Sequence, residues 1–235
     1  MAEIRVASVA AIVVAAGPGR RLDAGMPKAF VPLAGVPLFV RSVRAMLAAA
    51  VDRLVVVAPP DAVAEADRLL QMAGPYRLTP RLVAGGAERQ DSVRNGLAAI
   101  GDAELVAVHD AARPFVTASV VDAAIDAAER HGAAIVAIPA TDTVKIVDAE
   151  GWIEATPPRA YTWLAQTPQV FRADLLRAAH AAAGGGLPAT DDAALVERLG
   201  HRVRVVAGSA DNRKITTPDD RAWAEWQLRR SAAPR

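Results

Sequence analysis

The chain has 235 residues, 27 basic side chains against 26 acidic ones, and no cysteine. That even balance argues against a dedicated nucleic-acid binder, the 4% aromatic content against a base-stacking platform, and the missing thiols against disulfides, thiolate zinc sites and a cysteine nucleophile. At 52% hydrophobic and 23% charged, the chain is no candidate for disorder and is long enough to bury a sizeable core.

The apolar run from Val6 to Ala16 follows Arg5 and has the outline of a secretory signal. Glu3 spoils the basic start, and the run leads directly into Gly17-Pro18-Gly19-Arg20-Arg21, so it is read as part of the fold. No stretch approaches the ~20 apolar residues of a membrane span. A cytoplasmic location with no membrane partner is expected.

Ile12–Val14 marks a first buried strand that ends in the glycine loop. Phe39, Val40, Val43, Met46, Leu47 and Ala50 then fall on one helix face. Leu54–Ala58 is a buried strand stopped by Pro59-Pro60, and 62–72 is a helix with Asp61 as its cap. Leu82–Ala84 is a strand entering Gly85-Gly86, 92–100 a helix, and Leu105–His109 a strand. Val120, Val121, Ala124, Ile125 and Ala128 mark a helix ending at Gly132, followed by a strand over Ala134–Ile138. Solid apolar strands alternating with helices predict an α/β fold, a doubly wound and mostly parallel sheet covered on both faces. Ligands of such sheets collect beyond the carboxyl ends of the strands. The loops at Gly17, Gly85 and Asp110 lie there.

The pattern changes at Thr141. Thr141–Val147 and Trp152–Ala155 alternate around Asp148-Ala149-Glu150-Gly151, which predicts a β-hairpin arm over 140–160. Such a ribbon is only marginally stable alone, so it needs something to pack on. A helix follows over Arg172–Ala183, then a flexible loop at Gly184-Gly185-Gly186. Thr190 is placed to cap a helix over 191–199, Arg202–Ala207 is a strand, and Thr217-Pro218 opens a last helix to about Arg230. No repeat or long linker appears, so 1–235 is expected to be one domain carrying the arm.

The strongest chemical signal is the segment from Ala15 to Lys28. Glycines let backbone N–H groups approach a phosphate chain, and Arg20, Arg21 and Lys28 outweigh Asp23. It is neither a Walker loop nor GxGxxG, and a plain strand-to-helix connection with surface cations is the rival reading. In Val108-His109-Asp110-Ala111-Ala112-Arg113-Pro114, Asp110 at a strand end can approach a metal or a hydroxyl, and Arg113 can grip phosphate with two nitrogens. The alternative there is an Asp capping the following turn with Arg113 as its partner. His109 reads as a packed or hydrogen-bonded structural residue rather than a base. No ligand cluster shows metal spacing, so any metal is expected to be Mg²⁺ arriving with phosphates. Gly85-Gly86-Ala87-Glu88-Arg89-Gln90-Asp91-Ser92 can receive a base and ribose, or be a simple turn before a helix. Gln166-Thr167-Pro168-Gln169 reads as a rigid polar turn. Lys214 lies in the loop after the last predicted strand.

Taken together, the segments AAGPGRRLDAGMPKAF, GGAERQDSV, VHDAARP, ATDTVK, PPRAYTWLAQTPQ, TDDAALVE and DNRKITTPDD resemble, in order and from residue 15 to about 220, the 2-C-methyl-D-erythritol 4-phosphate cytidylyltransferase family. The resemblance implies a nucleotidyltransferase that moves CMP from CTP to a sugar-alcohol phosphate in isoprenoid precursor synthesis, with pyrophosphate leaving and Mg²⁺ or another divalent cation accompanying the CTP. It implies Arg21, Lys28 and Lys214 as cations on the reacting phosphates. Ala15, Ala16, Gly17, Gly19, Gly86, Ser92 and Ala111 would hold CTP. Asp110, Arg113, Thr143, Arg159, Thr167 and Thr190 would hold the acceptor, with Arg159 and Thr143 flanking an arm that reaches across a homodimer. Ala87 stands where some members carry a polar side chain, and Pro18 removes one N–H from the phosphate loop. No fused cyclase domain is expected behind residue 235. Rivals are the same transfer to ribitol 5-phosphate or another alditol phosphate, a glycosyltransferase, for which no Asp-x-Asp motif follows a strand, and a non-catalytic nucleotide-binding protein.

Overall fold

The protein is described by a computed structural model over residues 7–17, 26–183 and 189–232. Its elements, in chain order, are β1 (Val9–Val14), the ribbon β2 (Pro32–Leu33) and β3 (Val36–Pro37), α1 (Leu38–Leu47), β4 (Arg53–Ala58), α2 (Val63–Met72), β5 (Arg81–Ala84), α3 (Arg89–Ala99), β6 (Leu105–Asp110), α4 (Ala118–His131) and β7 (Ala133–Pro139). Then come β8 (Ile146–Val147), β9 (Ile153–Ala155), β10 (Trp163–Arg172), α5 (Ala173–Ala182), α6 (Asp192–Arg198), β11 (Arg204–Ala207) and α7 (Pro218–Ala232).

A seven-stranded sheet runs in the order β11-β7-β10-β6-β1-β4-β5. All neighbours are parallel except β10, which lies antiparallel to both β6 and β7. Successive side chains of a strand point to opposite faces, and both faces are apolar here. Val9, Ala11 and Val13 of β1 join a core roofed by α1, α2 and α4, whereas Ala10 and Ile12 join one roofed by α3, α5 and α6. This two-sided burial is why the central strands read as unbroken apolar runs. A third cluster, with Leu33, Leu38, Ile215 and Ala224, seats α7 on the β2–β3 ribbon. The chain leaves β1 toward β4 and β5 on one side and returns to β6 on the other, so the crevice beyond β1 is a topological switch point.

Several expectations shift in detail. Ala50 lies past the end of α1 and is exposed; Ala49 is the buried residue there. Asp61 falls within a 3-10 turn, Pro60–Ala62, and no side chain caps α2. α3 begins at Arg89 because Glu88 and Asp91 form a reciprocal capping box. α6 is capped by Asp191, whose carboxylate accepts from Ala194 N at 3.0 Å; Thr190 is exposed and does not cap. Gly184-Gly185-Gly186 lie outside the described residues.

The largest correction is Gln166-Thr167-Pro168-Gln169, which is no turn but the middle of β10. Its polar side chains are buried, and Pro168 falls in the register shift between Ala165 and Gln169, where no ladder N–H is required. The arm forms as an antiparallel hairpin shorter than expected. Asp148 Oδ1 accepts from the Glu150 and Trp152 N–H groups and closes its turn. Ile146, Val147, Trp152 and Ile153 stay exposed, Trp152 at 71%, so the arm finds no cover on its own chain among the described residues.

Candidate active site

A cleft of about 480 Å³ opens where the loops after β1, β5 and β6 converge. Its wall contains Ala15, Ala16, Gly17, Lys28, Gly86, Ser92, Asp110, Ala111 and Lys214, all singled out from the sequence, together with Glu88 and Arg89. A larger concavity, about 650 Å³, lies at the far β11 edge, away from the strand ends that gather these groups.

Backbone bonds carry the sheet pattern past the strand ends and set the loops' height. Ala15 N donates to Val57 O, Gly85 N to Ala58 O and Ala111 N to Val14 O, at 2.8, 2.8 and 3.1 Å. Ser42 Oγ donates to Ala111 O from beneath at 2.9 Å. Gly85 is a steric requirement: a Cβ there would stand 2.3 Å from Ala16 Cβ and 2.9 Å from Ser92 Oγ. Only a glycine lets the β5 turn lie this close to the β1 loop. Gly86 is equally tight, because a Cβ on it would stand 2.3 Å from Asp91 Cβ. Ser92 Oγ accepts from Gly86 N and donates to Glu88 O, both at 3.1 Å, so it shapes the turn as well as lining the cleft.

Asp110 ends β6 with its carboxylate in the cleft. Lys214 Nζ is 2.7 Å from Oδ2 and Arg89 Nε is 3.4 Å from Oδ1. Burial alone would raise its pKa, but Arg89, Lys214 and Arg113 outweigh that and hold it well below the usual carboxylate range. Lys28, on a 3-10 turn spanning Lys28–Phe30, is buried rather than exposed. Lys214 does not sit at the end of β11. The loop after that strand crosses back toward β6, tied by Ile215 N to Ala112 O at 2.8 Å and by Asn212 Nδ2 to Gln166 Oε1 and Thr167 O at 3.1 and 2.9 Å.

Other expected site residues lie elsewhere. Arg113 spends Nη1 on Asn212 O (2.8 Å) and Nη2 on Ala165 O (3.3 Å), and its Nε is buried with no partner among the described residues. In this arrangement it braces the Lys214 loop and has no free fork for phosphate. It is not Asp110's hydrogen-bond partner either; Lys214 and Arg89 take that place. Thr167 lies under the cleft floor, its Oγ1 accepting from Asp110 N at 3.0 Å and meeting His109 Nδ1 at 3.1 Å. The His109 ring also bonds Arg113 O through Nε2 at 3.1 Å, and burial pushes its pKa down to about 4. This is a neutral structural histidine, as the sequence suggested. Thr143 and Arg159 lie at the base of the arm, exposed, with Arg159 Nη1 donating to Thr141 O at 3.3 Å, and Thr190 is on the surface before α6. Gly19 and Arg21 lie outside the described residues.

Sequence reasoning missed Arg89 as a site residue, and Asp192 behind it. Arg89 Nη1 is 2.8 Å from Asp192 Oδ2, and His180 Nε2 is 3.2 Å from Asp192 Oδ1. Burial opposes the Arg89 charge, but Asp192 and Asp110 outweigh it and hold the guanidinium charged, above the usual arginine range. The segment containing Arg89 was visible; its partner, so distant in the chain, was not. Among the described residues no acidic or histidine cluster could cage a metal ion. Among the described residues, Asp110 at the end of β6 already carries two cations, which suits a Mg²⁺ held by phosphate oxygens and water rather than by the protein.

The cleft, with backbone loops and cations gathered at a switch point, is built for a phosphate-rich nucleotide. Comparison with known proteins agrees. The family described as 2-C-methyl-D-erythritol 4-phosphate cytidylyltransferase (IspD) matches residues 9–230. A curated relative of that name from Nocardia farcinica is 50% identical over 228 residues, 96% of each chain. The crystal structure of 2-C-methyl-D-erythritol 4-phosphate cytidylyltransferase from Thermus thermophilus superposes with a TM-score of 0.75 at 37% identity, covering 96% of this chain and 100% of that one. The 4-diphosphocytidyl-2C-methyl-D-erythritol synthase structure from Anaerococcus prevotii gives 0.83 at 29% identity, over 95% and 99%. The chain belongs to the 2-C-methyl-D-erythritol 4-phosphate cytidylyltransferase family.

Proposed function

We propose that this cleft performs the family's reaction, transfer of CMP from CTP to 2-C-methyl-D-erythritol 4-phosphate in isoprenoid precursor synthesis. One observation carries the reading: the β1 loop, the Gly86 turn and the Asp110–Lys214 pair wall a single cleft. The base and ribose lie against Ala15, Ala16, Gly86, Ser92 and Ala111, and the triphosphate over Gly17 toward Lys28 and Lys214. A phosphate oxygen of the acceptor attacks the α-phosphorus in line. The bond from that phosphorus to the β-phosphate oxygen breaks, and pyrophosphate leaves. The attacking oxygen is already ionised, so no general base is needed. Catalysis rests on alignment and on cations aimed at the charge that develops. Lys28, Lys214 and Arg21 supply them, and Gly19 belongs to the same phosphate loop. A Mg²⁺ ion would be held by the phosphates of CTP rather than by protein side chains, and would neutralise part of their charge.

The acceptor binds at the outer side of the cleft, near Asp110. Thr167 and Arg113 hold Asp110 and the Lys214 loop in place, while Thr190, Thr143 and Arg159 provide its remaining contacts. The uncovered apolar arm supports a homodimer in which Arg159 and Thr143 serve the partner's site. No described helix is long and apolar enough to cross a membrane, and work in the cytoplasm, where CTP is at hand, fits the reading. The test is pyrophosphate release from CTP that depends on the acceptor.

A further inference from the structure

The Asp110–Lys214 pair poses a chemical problem. An ammonium held 2.7 Å from a carboxylate shares its charge with it, and a phosphate brought to its remaining N–H donors meets the repulsion of that same carboxylate. Arg89 stands at the other oxygen of that carboxylate, 3.4 Å away, and its far nitrogen is rooted on Asp192 at 2.8 Å. Asp192 is itself fixed. It is almost fully buried, its backbone N and that of Ala193 donate to Gln169 Oε1 at 3.1 and 3.0 Å, and His180 occupies its other oxygen. The charges therefore alternate from the packed helices into the cleft: Asp192, Arg89, Asp110, Lys214.

We infer that Arg89 and Asp192 are positioning residues that set how firmly Asp110 holds Lys214, and so how readily Lys214 turns to the nucleotide's phosphates. This rests on the reading of the cleft as the CTP site. Arg89 neutralises Asp110 when Lys214 turns away; Asp192 draws part of the Arg89 charge back. The groups facing this chain are Lys214 and Arg113 on the Asp110 side and His180 on the Asp192 side. A consequence of sign follows. Losing the Arg89 charge leaves Asp110 to Lys214, with only the more distant Arg113 beside it, and the cleft one charge more negative. Losing the Asp192 charge does the reverse.

The experiment measures KM for CTP, kcat and equilibrium CTP binding for the wild type, Arg89→Gln, Asp192→Asn, the double variant and Arg89→Lys, with thermal unfolding beside each. Arg89→Gln raises KM for CTP roughly 5- to 10-fold, and Asp192→Asn leaves it unchanged or lowers it. The double variant returns to within about threefold of wild type, since opposite charges are removed together. Arg89→Lys keeps the charge and holds KM for CTP within about twofold of wild type. If Asp192→Asn raises KM alongside Arg89→Gln and the double variant is worse than either, the two residues are merely structural and the inference fails. Arg89→Lys as impaired as Arg89→Gln would overturn it equally. A wild type that binds no CTP instead contradicts the reading of the cleft, which separates the two failures.

Discussion

Lys214, on the loop after β11, and Asp110, at the end of β6, meet at 2.7 Å between Nζ and Oδ2. The contact closes the cleft, because it brings the loop after the edge strand β11 back to the end of β6. The Lys214 side chain is 44% exposed, so it faces solvent and the cleft as well as its partner. Lys214→Ala should lower kcat by roughly 10²–10³, the usual loss for a donor aimed at developing charge. Stability should fall as well, since the variant leaves the largely buried Asp110 carboxylate with one counter-charge fewer. Steady-state kinetics with a denaturation curve checks both.

Lys28 behaves differently because it is buried. Lys28→Ala should lose catalysis and also packing, as Lys28 is buried on the 3-10 turn that lines the cleft with the β1 loop. Lys28→Met keeps the stem and should melt near wild type, with kcat still down roughly 10²–10³. Arg21→Ala should show a similar fall in kcat. Equal melting temperatures for Lys28→Ala and Lys28→Met would contradict the buried stem.

His109 predicts an acid sensitivity. Its folded pKa of about 4 lies below the ordinary value of about 6.5, so the unfolded chain binds the extra proton between these values. Native stability is therefore full above about pH 6.5 and falls as pH drops toward 4, by on the order of 3 kcal/mol from this residue. In His109→Gln that part of the slope should vanish. Urea denaturation at pH 7 and pH 4.5 measures it, and an unchanged slope would refute the assignment.

The sheet was legible in the sequence where burial on both faces makes strands solidly apolar, as at Leu54–Ala58 and Ala134–Ile138. β10 was hidden because its middle is Gln166, Thr167, Pro168 and Gln169, whose polar groups bond Ser209 O, His109, Asp110 and the start of α6. Such pairings are long-range, and no local pattern reports them. The glycine turns and Asp110 could be read because their chemistry is local. Arg89 became a site residue only through Asp110 and Asp192, and Arg113, which looked free for phosphate, is committed to two backbone carbonyls.

The arm leads to a test of assembly. Ile146, Val147, Trp152 and Ile153 are exposed on the single chain, and Tyr161 beside them is 84% exposed. Deleting the arm should weaken dimerisation and acceptor binding together while CTP binding survives. Mixing Lys28→Met with Arg159→Ala should restore activity after subunit exchange, because one site of each mixed dimer then regains both native residues. Verified exchange with no recovery would rule out a shared site.

The most direct test of the central claim is pyrophosphate release from CTP and Mg²⁺ with 2-C-methyl-D-erythritol 4-phosphate or ribitol 5-phosphate as acceptor. The account predicts rapid, acceptor-dependent release with the methylerythritol phosphate and a far lower kcat/KM with ribitol 5-phosphate. Comparable or higher kcat/KM with ribitol 5-phosphate, or no release with either acceptor, would contradict it.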